Sequence, residues 1–215
     1  MSSVDFGPFG NYRGRMGNLV FYKLMGRQVV RRIGRSTSHS VAQLASWQRM
    51  SVVNAFLKPI IPFINVGYAV QAQERNIFPQ NAAVSYLVRY SLKGVYPSLE
   101  MDYTKVLVSQ GVLAPPLNAS VVLLSEGLHF SWAYDPSVPL SLPSDEVMVM
   151  AYFPGLAKAV FEIGTAVRIS GSLVLPLPQG LAGDMELYIS CVAVNRKAVS
   201  DSVYLGRVNA GNQSD

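Results

Sequence analysis

"MELYISCVAV", residues 185–194, sets Met185, Leu187, Ile189, Cys191 and Ala193 at alternate positions, so a strand made from it carries one continuous apolar face. Similar runs surround it: "ASVVLL" (119–124), "LHFSWAY" (128–134), "EVMVMAYF" (146–153), "KAVFEIG" (158–164), "VRISGSLVLPL" (167–177) and "SDSVYLGRV" (200–208). Seven short runs separated by turn residues predict an antiparallel β-sandwich over residues 118–208, followed by a flexible tail at 209–215. Trp132 alternates with His129 or Phe130 in its run and is expected in the interior. Cys191 is the single cysteine, which excludes an intramolecular disulfide and a cysteine zinc site and reads as a buried thiol.

Upstream the pattern becomes helical. A serine N-cap at Ser38 or Ser40 precedes "VAQLASWQRMSVVNAFLK", where apolar residues recur at three- and four-residue spacing. Pro59 and Pro62 are expected to kink or end this helix, and a second helical run extends to about Gln73. "NAAVSYLVRYSLKG" (81–94) reads as a third helix, with Tyr86 and Tyr90 four apart and Gly94 as its C-terminal cap. "SLEMDYTKVLVSQG" (98–111) has β texture, and the prolines of "LAPPLNAS" (113–120) read as a linker. The predicted boundary therefore falls between a region at 1–117 and the sandwich.

At the start, "NLVFYKL" and "RQVVRRI" flank "MG" (25–26) and form a β-hairpin whose turn uses Gly26 for positive φ. "GRMG" lacks the lysine-serine/threonine ending and strand-to-helix context of a phosphate loop. The fold class is thus α+β: a basic N-terminal hairpin with two or three helices, followed by the sandwich.

The C-terminal region resembles the fibronectin type III and immunoglobulin-like class. Trp132 in "LHFSW" matches the core tryptophan of an early strand, and "ELYISCVAVNRKAVSDSVY" (186–204) matches a final hairpin with its strand tyrosine, Tyr188. The whole chain also resembles an uncharacterised Bacteroidota family, domain of unknown function six-two-six-six. The pieces that carry the likeness are "GRMGNLVFYKLMGRQVVR", "SVAQLASWQRM", "YPSLEMDYTKVLVSQGVL", "LNAS" and "SDSVYLG", matched in order. The family has no assigned activity. Its N-terminal pattern is similar to short proteins encoded in prophage regions, and that likeness implies a virion-type or other assembly role.

Half of the 215 residues are hydrophobic and 14% are charged, a low charged fraction that implies apolar surface covered by a partner or by further copies. A homo-oligomer is the expectation. The longest apolar run, 59–70, is broken by Pro62, Asn65 and Gly67 and falls short of a membrane span. The N-terminus lacks the apolar region of a Sec signal peptide, so a cytoplasmic protein, or one assembled into a particle, is expected.

Charge is uneven along the chain. Residues 1–40 hold seven basic residues against Asp5, whereas 118–215 hold five against nine acidic ones. The two histidines, His39 and His129, lie in separate regions, and "SDE" (144–146) and "GDME" (183–186) read as solvated turns. The expectation is a protein without catalytic residues, cofactor or metal, and no small-molecule substrate is implied. The candidate site is the hairpin: Arg13, Arg15, Phe21, Tyr22, Arg27, Arg31, Arg32 and Arg35. Such a ribbon can join a neighbouring subunit or protein partner, with its arginines facing that neighbour's acidic sandwich. It can also bind nucleic acid, or lie within its own domain with arginines in water. Apolar residues on both sides of the predicted strands favour assembly over nucleic acid.

Overall fold

The structure, a computed structural model, describes residues 2–3, 12–34, 38–178 and 180–211. The chain divides into two compact units, Met1–Val41 and Ala42–Asp215.

In the first unit, β1 (Ser2–Ser3), β2 (Gly14–Met16), β3 (Leu19–Leu24) and β4 (Arg27–Arg32) form an antiparallel sheet in the order β1-β4-β3-β2. Leu24 faces Arg27 across a two-residue turn in which Met25 and Gly26 both take positive φ, 48° and 82°. That geometry follows the right-handed twist of the flanking strands, and glycine adopts it without strain. The predicted hairpin is present, with an additional strand on each side.

The second unit opens with α1 (Val41–Leu57), directly after Ser40, followed by α2 (Ile61–Gly67), α3 (Ala69–Glu74) and α4 (Pro79–Tyr90). A short 3-10 turn at Lys58–Ile60 separates α1 from α2 where Pro59 removes a backbone donor. By length and composition alone, Val41–Gly67 is apolar enough to cross a membrane. Within the fold, its Val53, Phe56, Leu57, Ile60, Phe63 and Ile64 are buried in a core shared with the sandwich. The sequence expectation weighed only 59–70.

After β5 (Leu92–Lys93) and β6 (Glu100–Met101) come β7 (Leu117–Leu124), β8 (Gly127–Ala133), β9 (Glu146–Phe153), β10 (Lys158–Val167), β11 (Ser172–Leu175), β12 (Gly183–Val192) and β13 (Val203–Ala210). They build two antiparallel sheets, β10-β9-β12-β13 and β11-β8-β7. Between the sheets lie Leu128, Phe130, Trp132, Val147, Val149, Ala151, Met185, Leu187, Ile189 and Cys191. The opposite face of the four-stranded sheet, with Met148, Met150, Tyr152, Tyr188 and Val192, packs against the helices. This explains the unbroken apolar character of "VMVMAYF": β9 is covered on both sides, so alternation is absent.

Several expectations change for physical reasons. The compact units divide at Val41 and Ala42 instead of near 117, because the helices and the four-stranded sheet bury one another. "LAPPLNAS" is anchored: the Ala114 and Pro115 carbonyls accept hydrogen bonds from Arg168, and Leu117 opens β7. In 98–111 only Glu100–Met101 is a strand; a 3-10 turn at Tyr103–Lys105 leads into a strap buried at Val106, Val108 and Ser109, held where the Val108 N–H donates to Ser202 Oγ and Ser109 Oγ donates to the Ser200 carbonyl. Gly94 does not cap α4, whose C-cap is Ser91; at φ 86° it serves the turn joining β5 and β6, where any side chain would overlap the Ser98 carbonyl. The last strand runs to Ala210, into the predicted tail, and 212–215 lie outside the described residues.

Candidate functional site

Residues 12–34 contain six cations, Arg13, Arg15, Lys23, Arg27, Arg31 and Arg32, and no carboxylate. Strand pairing decides how these charges are displayed, since residues directly opposite each other share a face. Arg15 and Arg31 flank Val20, Tyr22 faces Val29, and Leu24 faces Arg27. One face therefore carries Arg15, Arg27 and Arg31 among Val20, Tyr22, Leu24 and Val29. The other carries Met16, Leu19, Phe21, Lys23, Gln28, Val30 and Arg32.

Only Phe21 and Val29, one on each face, are buried among the described side chains of this sheet, at 3% and 8% exposure. Tyr12 covers Phe21 edge-on with ring centroids 5.3 Å apart, and Gln28 fixes that approach by donating to the Tyr12 carbonyl. Met16, Leu19, Leu24 and Met25 are exposed. Arg15 Nε donates to the Gly17 carbonyl at 3.1 Å, which steadies the turn between β2 and β3. No ion pair among the described residues engages the arginines of this unit.

The structure thus gathers Arg15, Tyr22, Arg27 and Arg31 on one face and puts Arg32 on the other, while Arg13 is exposed just before β2. Phe21, expected at the interface, is interior. Arg35 lies outside the described residues. At one end of the sheet Arg15, Asn18, Arg32, Ile33 and Gly34 line an open cleft of about 610 Å³.

The acids read as solvated turns are largely engaged within the second unit. Asp145, 1% exposed, pairs with the equally buried Arg168 at 3.3 Å. Glu186, fully buried, accepts from Tyr204 Oη at 2.6 Å and from Arg207 at 2.6 Å. Asp184 also pairs with Arg207, and Glu146 with Arg196. Four of the carboxylates a neighbour's arginines were expected to meet therefore already have internal arginine partners, Asp184 and Glu186 sharing Arg207.

Other candidate chemistry is sparse. Cys191 is buried between the sheets, and desolvation pushes its thiol up to about 12. No group of three or more His, Cys, Asp or Glu positioned for a metal occurs among the described residues. Sequence reasoning missed one feature: a cleft formed by the end of α4, the 104–107 strap and the start of β13, with Tyr86, Arg89, Tyr90, Lys105 and Tyr204 on its walls. The i, i+4 spacing of Tyr86 and Tyr90 was the legible part. Lys105 and Tyr204 come from distant sequence.

No curated protein matches the chain. The model of a family of unknown function, DUF6266, matches residues 12–206, spanning both the basic sheet and the sandwich, and the chain belongs to that family.

Proposed function

We propose that the protein is a non-enzymatic structural component that assembles with copies of itself through its N-terminal sheet, as a filament or virion-type element would. The observation that carries this reading is a sheet with large apolar side chains on both faces and only Phe21 and Val29 covered. A unit of about 40 residues buries too little surface to be stable unaided, and Met16, Leu19, Leu24 and Met25 are the side chains a second copy would cover. The strand order of the second unit, three strands facing four with Trp132 inside, supports assigning the sandwich to the immunoglobulin-like and fibronectin type III class. Such a module acts as a spacer.

A second reading rests on its own observation. Arg15, Arg27 and Arg31 share a face with Tyr22 and have no carboxylate partner among the described residues, an arrangement that suits a polyanion. The two are separated by variants. Leu19→Glu with Leu24→Glu should disperse the assembly and leave the circular dichroism of the sandwich unchanged. Arg27→Glu with Arg31→Glu should abolish salt-sensitive binding to mixed-sequence DNA or RNA under the second reading, with the leucine pair silent. An assembly whose size ignores the leucine pair would overturn the first.

A further inference from the structure

The cleft between α4 and β13 has a volume of about 610 Å³, within the range of small-molecule sites. It is built wholly from the second unit, and its reading is independent of the assembly reading. Its aromatic part is a step of two rings: Tyr86 and Tyr90 lie with centroids 5.0 Å apart and planes 46° from parallel, and Tyr90 is 51% exposed. The Arg89 guanidinium stands 5.9 Å from the Tyr90 ring centre and has no carboxylate partner among the described residues. Across the cleft, Lys105 pairs with Asp102 at 3.2 Å, and Tyr204 is held by its hydrogen bond to Glu186. Thr104 and Ser202 also line the walls.

Three features narrow the ligand. First, α4 ends at this cleft with its C-terminus, the pole at which a helix carries partial negative charge. That pole disfavours phosphate and favours donors such as hydroxyl groups. Second, the cations are few and Asp102 offsets one of them, so a polyanion gains little here. Third, beside the aliphatic Leu92, Val106 and Leu107 the walls carry hydroxyl and charged groups around the half-exposed Tyr90 ring, a mixed lining that suits a polyol better than a wholly apolar ligand.

We infer that this cleft binds a neutral saccharide, one ring of which lies on the Tyr90 and Tyr86 step while its hydroxyls bond to Arg89, Lys105 and the last carbonyls of α4. The tyrosine faces meet the C–H face of the sugar, and the guanidinium supplies planar donors to sugar oxygens.

The test is isothermal titration of the full chain with millimolar cello-, xylo- and malto-hexaose, with oligogalacturonate as an acidic arm and ATP as a phosphate arm. One of the neutral hexaoses should bind. Tyr90→Ala, at a half-exposed side chain, should weaken it about three- to tenfold, and Arg89→Gln should weaken it with an unchanged unfolding temperature. Binding of ATP or oligogalacturonate in preference to every neutral sugar would overturn the inference. So would the absence of any binding, or binding that both variants leave intact.

Discussion

Replacing Arg168 by methionine should test the buried pair that ties the prolines before β7 to the sandwich. Methionine retains much of the side chain's apolar stem and removes the charge. In the parent the guanidinium donates to the Ala114 carbonyl at 2.8 Å, to the Pro115 carbonyl at 3.4 Å and to Asp145 at 3.3 Å. After substitution Asp145, 1% exposed, keeps the hydrogen bond from the Leu142 N–H at 3.0 Å and loses its counter-charge. Removing one partner of a buried ion pair costs about 3–5 kcal/mol. The double variant Arg168→Met, Asp145→Leu removes the stranded charge as well and should recover part of this loss, leaving roughly 1–3 kcal/mol for the carbonyls without donors. Urea unfolding followed by tryptophan fluorescence is the assay, because Trp132 Nε1 donates to the Arg168 carbonyl at 2.7 Å and reports this region. The reasoning is refuted if Arg168→Met costs under about 1 kcal/mol, or if the two substitutions add without coupling.

A fragment of residues 42–211 should unfold cooperatively, whereas 118–208 should not fold alone, because it strips the helices from Met148, Met150, Tyr152 and Tyr188; a cooperative transition in the shorter fragment would contradict the shared core. Trp132→Ala should cost roughly 3–5 kcal/mol, and acrylamide should quench Trp132 poorly in the native state, since the ring is 6% exposed; efficient quenching of both tryptophans would refute its burial. Desolvation raises Tyr68 and Tyr188 far above the usual tyrosine range and pushes Tyr103 and Tyr204 up to about 12. The folded state therefore holds these protons after the unfolded chain has released them, so their stabilisation is complete below about pH 10 and is lost as pH rises toward 12 and beyond. Absorbance at the tyrosinate band should lag in the folded protein and rise with alkaline unfolding; early, complete ionisation without unfolding would be the contrary result.

The strands were legible because each carries a local signature. β7 alternates, β8 places Phe130 and Trp132 on one face, and the Met25–Gly26 turn is written in two residues. The layering was less visible. In β9 both faces are apolar, and nothing local to "EVMVMAYF" says whether a sheet or a set of helices covers the second face. Long-range polar pairing was hidden altogether: Asp145 with Arg168, and Glu186 with Arg207 and Tyr204, join residues 18 to 23 positions apart, so sequence neighbourhood made the acids look solvated. At the basic sheet the composition pointed to the right stretch, but only the register separates Arg15, Arg27 and Arg31 from Arg32 and turns Phe21 inward.

The most direct test of assembly through the N-terminal sheet is the mass of the full 215-residue chain in solution, measured by sedimentation velocity over a range of micromolar concentrations, beside residues 42–215. The account predicts that the full chain sediments as a species larger than its 23.4 kDa monomer and that removal of the first unit returns a folded monomer. A full chain that stays monomeric at every concentration would contradict it.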